Sequence, residues 1–198
     1  MELMVLNESD IELWELFASG SQAAFSRLYD RYADMLYAFG LRYTSDKEMV
    51  KDCIHDLFID LHHYRDGLAR EVNVRYYLLK SFKRKLHTAS KKAAIFSLNE
   101  WDLDDKVVSG ISFSAEQEII SDERQREMLQ TLAQEINKLP ERQKEILYLK
   151  FTHNLDYEEI ASMMQISVPT CRTFVYRAIK ELRGKLEVSA ILLILWAC

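Results

Sequence analysis

Glycine and proline are scarce, five and two in 198 residues, together about 3.5% where average usage gives roughly 12%. Sheets need frequent turn residues, and phosphate-cradling loops or nucleophile elbows need glycine at fixed offsets. The shortage therefore counts against all-β and dinucleotide-binding folds and favours an all-α chain. Cysteine is just as sparse. Cys53, Cys171 and Cys198 are odd in number and far apart, with no signal sequence before them, so the expectation is a reduced, cytoplasmic protein without a disulfide framework. Long apolar runs are missing as well. The longest, residues 188–198, has 11 residues, well short of the ~20 a membrane span needs, and no membrane insertion is expected. Nor is there any excess of positive charge: Lys plus Arg number 26 against 31 Asp plus Glu, a net −5. Phosphate attraction spread over the whole surface is thereby excluded, and any nucleic-acid site must be local. No Ser-His-Asp, Cys-His or phosphate-loop arrangement occurs, so neither an enzyme nor a bound cofactor is expected. The spacing of Asp52, His55 and Asp56 near Cys53 matches no zinc pattern, and no metal site is expected either.

What is present is helical periodicity. Phe25, Leu28, Tyr29, Tyr32, Leu36 and Phe39 fall on one helical face, and a shorter helix carrying Trp14 precedes them, ending near Gly20. After a capping stretch, Thr44-Ser45-Asp46, the apolar residues Val50, Ile54, Leu57, Phe58 and Leu61 form a second stripe. Glu48, Asp52, His55, Asp56 and Asp60 crowd the remainder of that helix. A further helix turns Val74, Tyr77, Leu78, Phe82 and Leu86 inward.

Charge is blocked along the chain. Between residues 65 and 92 nine cations face two acids, a local +7, whereas between 97 and 123 one lysine faces eight acids, a local −7. The acidic stretch begins without a helical stripe and contains Gly110 among serines, which marks a linker between two helical domains. The resulting division is 10–94, a linker at 95–115, a second domain at 116–187, and an apolar tail at 188–198. Within the second domain, residues 115–139 read as one helix. Pro140 opens the next at Glu141, and Ile146, Leu147, Leu149 and Phe151 supply its apolar side.

The segment YEEIASMMQISVPTCRTFVY, residues 157–176, has a small residue, Ala161, where a crossing helix needs room. Apolar residues stand at Ile160, Met164, Ile166, Cys171 and Val175. That spacing suits a helix-turn-helix, with Ser167 as N-cap of the second helix, Pro169 in its first turn, and Gln165 at a turn position that usually takes glycine. Thr170, Arg172, Thr173, Tyr176, Arg177 and Lys180 would occupy the groove-facing side. Five cations against one acid between residues 168 and 186 would supply phosphate anchoring.

At this point the chain resembles a bacterial sigma factor of the extracytoplasmic-function (ECF) class of the sigma-70 family, over roughly residues 16–186. AAFSRLYDRYADMLYAFGLRYT and DCIHDLFIDLHHYR resemble the first helices of sigma domain 2. By resemblance, Asp52, His55, Asp56 and Asp60 form the face that docks on the β′ clamp helices of core RNA polymerase. His55 stands in place of the family's usual glutamine. VRYYLLKSFKRKLHTASKK resembles the helix that melts and reads the nearer promoter element, which implicates Lys80, Lys83, Arg84, His87 and Lys91. Arg84 stands where asparagine is common. LPERQKEILYLKF, with the helix-turn-helix after it, resembles sigma domain 4, which reads the farther element as duplex. There Ser167, Thr170, Arg172, Thr173, Tyr176, Arg177 and Lys180 are implicated. The implied partners are core RNA polymerase, promoter DNA and an anti-sigma factor.

Two other classes compete with that one. A free-standing helix-turn-helix regulator would bind duplex DNA without polymerase, although a sensor domain has no need of a +7 helix. A helical adaptor that binds only protein would leave the basic surfaces merely solvated. The tail AILLILWAC has two open roles: it extends the last helix and packs back on its own domain, or it forms an interaction strip for the other domain or an inhibitor.

Overall fold

A computed structural model describes residues 9–96 and 123–185. The acidic linker, the start of the helix expected from residue 115, and the apolar tail lie outside the described residues. All regular elements among those described are helices, and the chain divides into two compact units, Met1–Ser109 and Gly110–Cys198.

In the first unit, α1 (Asp10–Ala18) starts at a capping box in which Ser9 and Glu12 satisfy each other's backbone N–H groups. It ends before Gly20, whose φ of +103° a side-chain-bearing residue rarely adopts. Ser21 then caps α2 (Gln22–Gly40), and Asp46 caps α3 (Lys47–His63) by accepting from the Met49 N–H. A single 3₁₀ turn, Arg65–Gly67, leads toward α4 (Val74–Phe96). The core takes Trp14, Phe17, Leu28, Leu36, Phe39, Val50, Leu57, Leu78, Leu79 and Phe82, all nearly or wholly buried. Gly40 sets how closely α2 can approach its neighbours, because an added Cβ would lie 2.7 Å from Val50 Cγ1 and 3.1 Å from Phe82 Cζ. The loop before α4 is moored by the Trp14 indole, which donates to the Ala69 carbonyl at 2.9 Å.

The second unit is built from shorter pieces. Following α5 (Glu123–Asn137) and α6 (Glu141–Leu147), the chain widens into a π-helical turn, Tyr148–Thr152, before α7 (Tyr157–Met164) and α8 (Val168–Arg183). Leu132, Ile136, Leu139, Leu147, Ala178 and Leu182 form a cluster joining α5 and α6 to α8. Ile160, Cys171 and Val175 close α7 on α8. Two details depart from the sequence reading. Met163 is the buried methionine of α7, whereas Met164 is only half-buried, so the short helix is rotated slightly from the expected stripe. Lys144 and Glu145, adjacent polar residues, are also buried. The Lys144 ammonium bonds the Glu141 carboxylate, so its stem lies in the core while its charge keeps a partner. Neither the π turn nor this burial follows from apolar spacing.

Candidate nucleic-acid interface

On α4, Lys80, Arg84, His87 and Lys91 are exposed at spacings of four, three and four residues, the repeat of one helical face. The cations of this helix are not equivalent. Lys80 Nζ donates to Tyr76 Oη at 2.8 Å and lies 5.2 Å from that ring's centroid, while half-buried Lys83 rests 5.6 Å from the Tyr43 centroid. Two tyrosines thus steady the leading cations of the stripe. Lys85 turns away from it and pairs with Asp60 of α3 at 2.6 Å.

That last contact touches the acidic face of α3. Asp52, His55, Asp56 and Asp60 are all exposed, and Asp60 alone among them is paired with Lys85 of α4. Beside these residues lies an apolar recess lined by Phe25, Tyr29, His55, Phe58, Ile59, His62 and His63. Its floor is interlocked aromatic edges: Phe25 and Tyr29 meet Phe58 at 6.0 and 4.9 Å, and Phe25 meets His62 at 5.4 Å. Tyr29 and Ile59 are 41% and 50% exposed, too open to belong to the core. The recess escaped the sequence reading because Tyr29 fits the α2 core stripe. The available signal was Ile59, an apolar residue placed among the acids.

The second unit presents its cations at the end of a built turn. Asp156 and Glu159 form a capping box that fixes the start of α7, and Gln165 ends it in the left-handed conformation, φ 54° and ψ 44°. Ser167 then caps α8 by accepting from the Thr170 N–H, and the two hydroxyls are bonded to each other at 2.8 Å. Ser167 and Thr170 therefore shape the helix entrance more than they offer free polar groups. Thr173 Oγ1 donates to the Pro169 carbonyl. Beyond them Arg172, Thr173, Tyr176, Arg177 and Lys180 form the exposed face, with Tyr176 65% exposed. Guanidinium groups on the leading turns of a helix can read guanine edges bidentately, and the later cations can hold phosphates.

Both described thiols are poor nucleophiles. Burial pushes the Cys53 thiol up, with the Asp56 charge acting in the same direction, and burial likewise raises Cys171. Among the described residues no helix is long and apolar enough to cross a membrane.

The helices that carry the second face match a known module: a family model described as Sigma-70, region 4, matches residues 129–182. Across nearly the whole chain there are further similarities. The RNA polymerase sigma-H factor of Pseudomonas aeruginosa is 27% identical over 183 residues, covering 88% of this chain and 92% of the relative. ECF RNA polymerase sigma factors SigX and SigW of Bacillus subtilis are 22% and 24% identical, covering 84% and 85% of this chain and 86% and 91% of their own lengths. Among solved structures, CnrH in complex with the cytosolic domain of CnrY shares the fold with a TM-score of 0.55 and 19% identity, over 89% of this chain and 96% of that one. RpoE of Bartonella quintana in complex with the anti-sigma factor NepR also gives 0.55, at 18% identity over 81% and 94%. Residues 129–182 thus match the Sigma-70 region 4 module, and over most of its length the chain is similar to RNA polymerase sigma factors. The similarity to SigX, SigW and SigM supports a sigma factor of the extracytoplasmic-function class, acting in transcription initiation.

Proposed function

We propose that the chain docks on bacterial core RNA polymerase through α3 and directs the holoenzyme to a promoter that it contacts twice. Asp52, His55, Asp56 and Asp60 would supply the charged rim of the docking face, and the Phe25, Tyr29, Phe58 and Ile59 recess its apolar centre. The two suit a helix carrying cations beside an apolar row. The α4 stripe, Lys80, Lys83, Arg84, His87 and Lys91, would hold the separated strand while unstacked bases are trapped at the nearer element. Ser167 and Thr170 would set the entrance of α8, whose Arg172, Thr173, Tyr176, Arg177 and Lys180 read and anchor the farther element as duplex. An anti-sigma factor would hold the chain inactive; RpoE of Bartonella quintana is itself seen in complex with the anti-sigma factor NepR.

One observation carries this reading: a chain of net charge −5 displays two separate cationic helical faces, one in each compact unit. Either face alone is small, and binding by both gains from effective concentration only when a large partner spaces them along one DNA. The deciding experiment is in vitro transcription with core polymerase on genomic fragments, followed by promoter affinity measured for the chain alone and for the holoenzyme at matched salt. Specific initiation and a much tighter holoenzyme are expected. Equal affinity of the isolated chain would instead identify a free-standing regulator, and absence of any association with core enzyme would end the proposal.

A further inference from the structure

One aromatic ring at the start of α7 sits beside two cations from different elements. Lys150 Nζ, in the π-helical turn, lies 4.9 Å from the Tyr157 ring centroid, and the guanidinium carbon of Arg172, on α8, lies 5.4 Å from it. Each cation has a second tether. Lys150 donates to the Leu155 carbonyl at 3.0 Å, which fastens the turn leading into α7, and Arg172 Nη2 stands 3.8 Å from the Glu158 carboxylate. Tyr157 is half-buried and Arg172 exposed, so the ring is held by the fold while the guanidinium faces solvent.

We infer that Tyr157 is a positioning residue for duplex reading: its ring sets the Arg172 guanidinium before DNA arrives. This rests on the promoter-binding reading above. A long, unrestrained arginine loses rotamer freedom on forming its contact, and a ring that already restrains it removes part of that loss. Cation–π attraction needs the ring's quadrupole and not the tyrosine hydroxyl, so phenylalanine should substitute and leucine should not. The tether is weak enough to leave Arg172 able to exchange Glu158 for a base edge or phosphate, since an exposed ion pair at this separation contributes little.

The test is a double-mutant cycle in reconstituted holoenzyme, using the strongest promoter fragment recovered by genomic in vitro transcription and the same fragment with its farther element scrambled. Tyr157→Leu should weaken promoter affinity about two- to fivefold, and Tyr157→Phe should restore it. Arg172→Ala should cost more, about five- to a hundredfold. In the Arg172→Ala background Tyr157→Leu should add nothing, and on the scrambled fragment its effect should vanish. Thermal melts of every variant separate loss of fold from loss of reading. The inference is overturned if Tyr157→Leu weakens binding equally without Arg172, equally on the scrambled fragment, or no more than Tyr157→Phe does. An Arg172→Ala variant that binds as wild type also overturns it. Should no fragment support initiation, the promoter reading itself falls and takes this role with it. Should initiation occur and Arg172→Ala cost affinity while Tyr157→Leu does not, only the role of Tyr157 falls.

Discussion

The α4 and α8 faces carry similar charge and are built in opposite ways. α4 is the long one, 23 residues, and its cations run as a line along one side, with the leading two steadied on tyrosines. α8 has 16 residues, and its leading end is exposed by a left-handed turn and a serine cap. A line of charge suits tracking a backbone, whereas an exposed helix entrance suits reaching into a groove. The difference teaches that comparable basic composition can be presented in two ways, set by where the helix begins.

The sharpest way to break the comparison is to strip each face in turn. Joint replacement of Arg172, Arg177 and Lys180 by alanine should abolish measurable preference for the farther element, by about a hundredfold or more at roughly 1–3 kcal/mol per base-reading contact. The equivalent change at Lys80, Arg84 and Lys91 should leave duplex capture largely intact and reduce strand opening, read by permanganate reactivity. Salt slopes should fall by about 0.9 per lost contact for α8 and about 0.7 for α4, the duplex and single-strand values. Identical slopes and identical opening defects would erase the distinction.

Docking provides the next contrast, because it should be indifferent to both faces. Asp56→Lys should weaken core-enzyme binding by at least about tenfold, through charge reversal on the rim of the recess, while either alanine set should not, as measured by competition for core polymerase. Gly40→Ala tests the packing beneath α4. With Val50 Cγ1 at 2.7 Å from the new methyl, the first unit should lose about 1–3 kcal/mol in chemical denaturation, and the second unit should be unaffected. At the entrance of α8, Ser167→Ala should cost about 1 kcal/mol. Gln165→Gly should have the opposite sign, since glycine accepts φ 54° without a Cβ penalty.

The smallest effect expected is one of pH. Burial tends to raise the Asp10 carboxyl, but the neighbouring Tyr32 hydroxyl and the Arg31 guanidinium, which donates to it at 2.8 Å, outweigh that, and the group sits below its ordinary value of 3.8. A depressed carboxylate contributes stability that is complete above that ordinary value and is lost as pH falls through the folded one. Asp10→Asn should therefore flatten the acid limb of the first unit's stability profile below pH 3.8. An unchanged acid limb in urea titrations would dismiss the contribution.

Much of this was legible in the residues themselves. The stripes of α2, α3 and α4 were readable because long helices repeat their apolar spacing often enough to be counted. The Ser167 cap and the left-handed Gln165 were readable because a helix-turn-helix fixes both by position. Irregular or tertiary features were not. The π turn at Tyr148–Thr152 has no compositional sign, and buried Lys144 and Glu145 look like surface residues in any helical wheel. Asp60 could be assigned to the acidic face but not to Lys85, since a pairing 25 residues away depends on how α3 lies against α4. The aromatic recess was hidden for the same reason: its members come from two helices.

The Trp14 indole, bonded to the carbonyl of Ala69, gives the molecule its own optical gauge. Any ligand that tugs on the segment ahead of α4 must strain or break that bond, and indole emission responds to such a change. With Trp101 and Trp196 replaced by phenylalanine, strand capture could be followed in real time without attaching a dye.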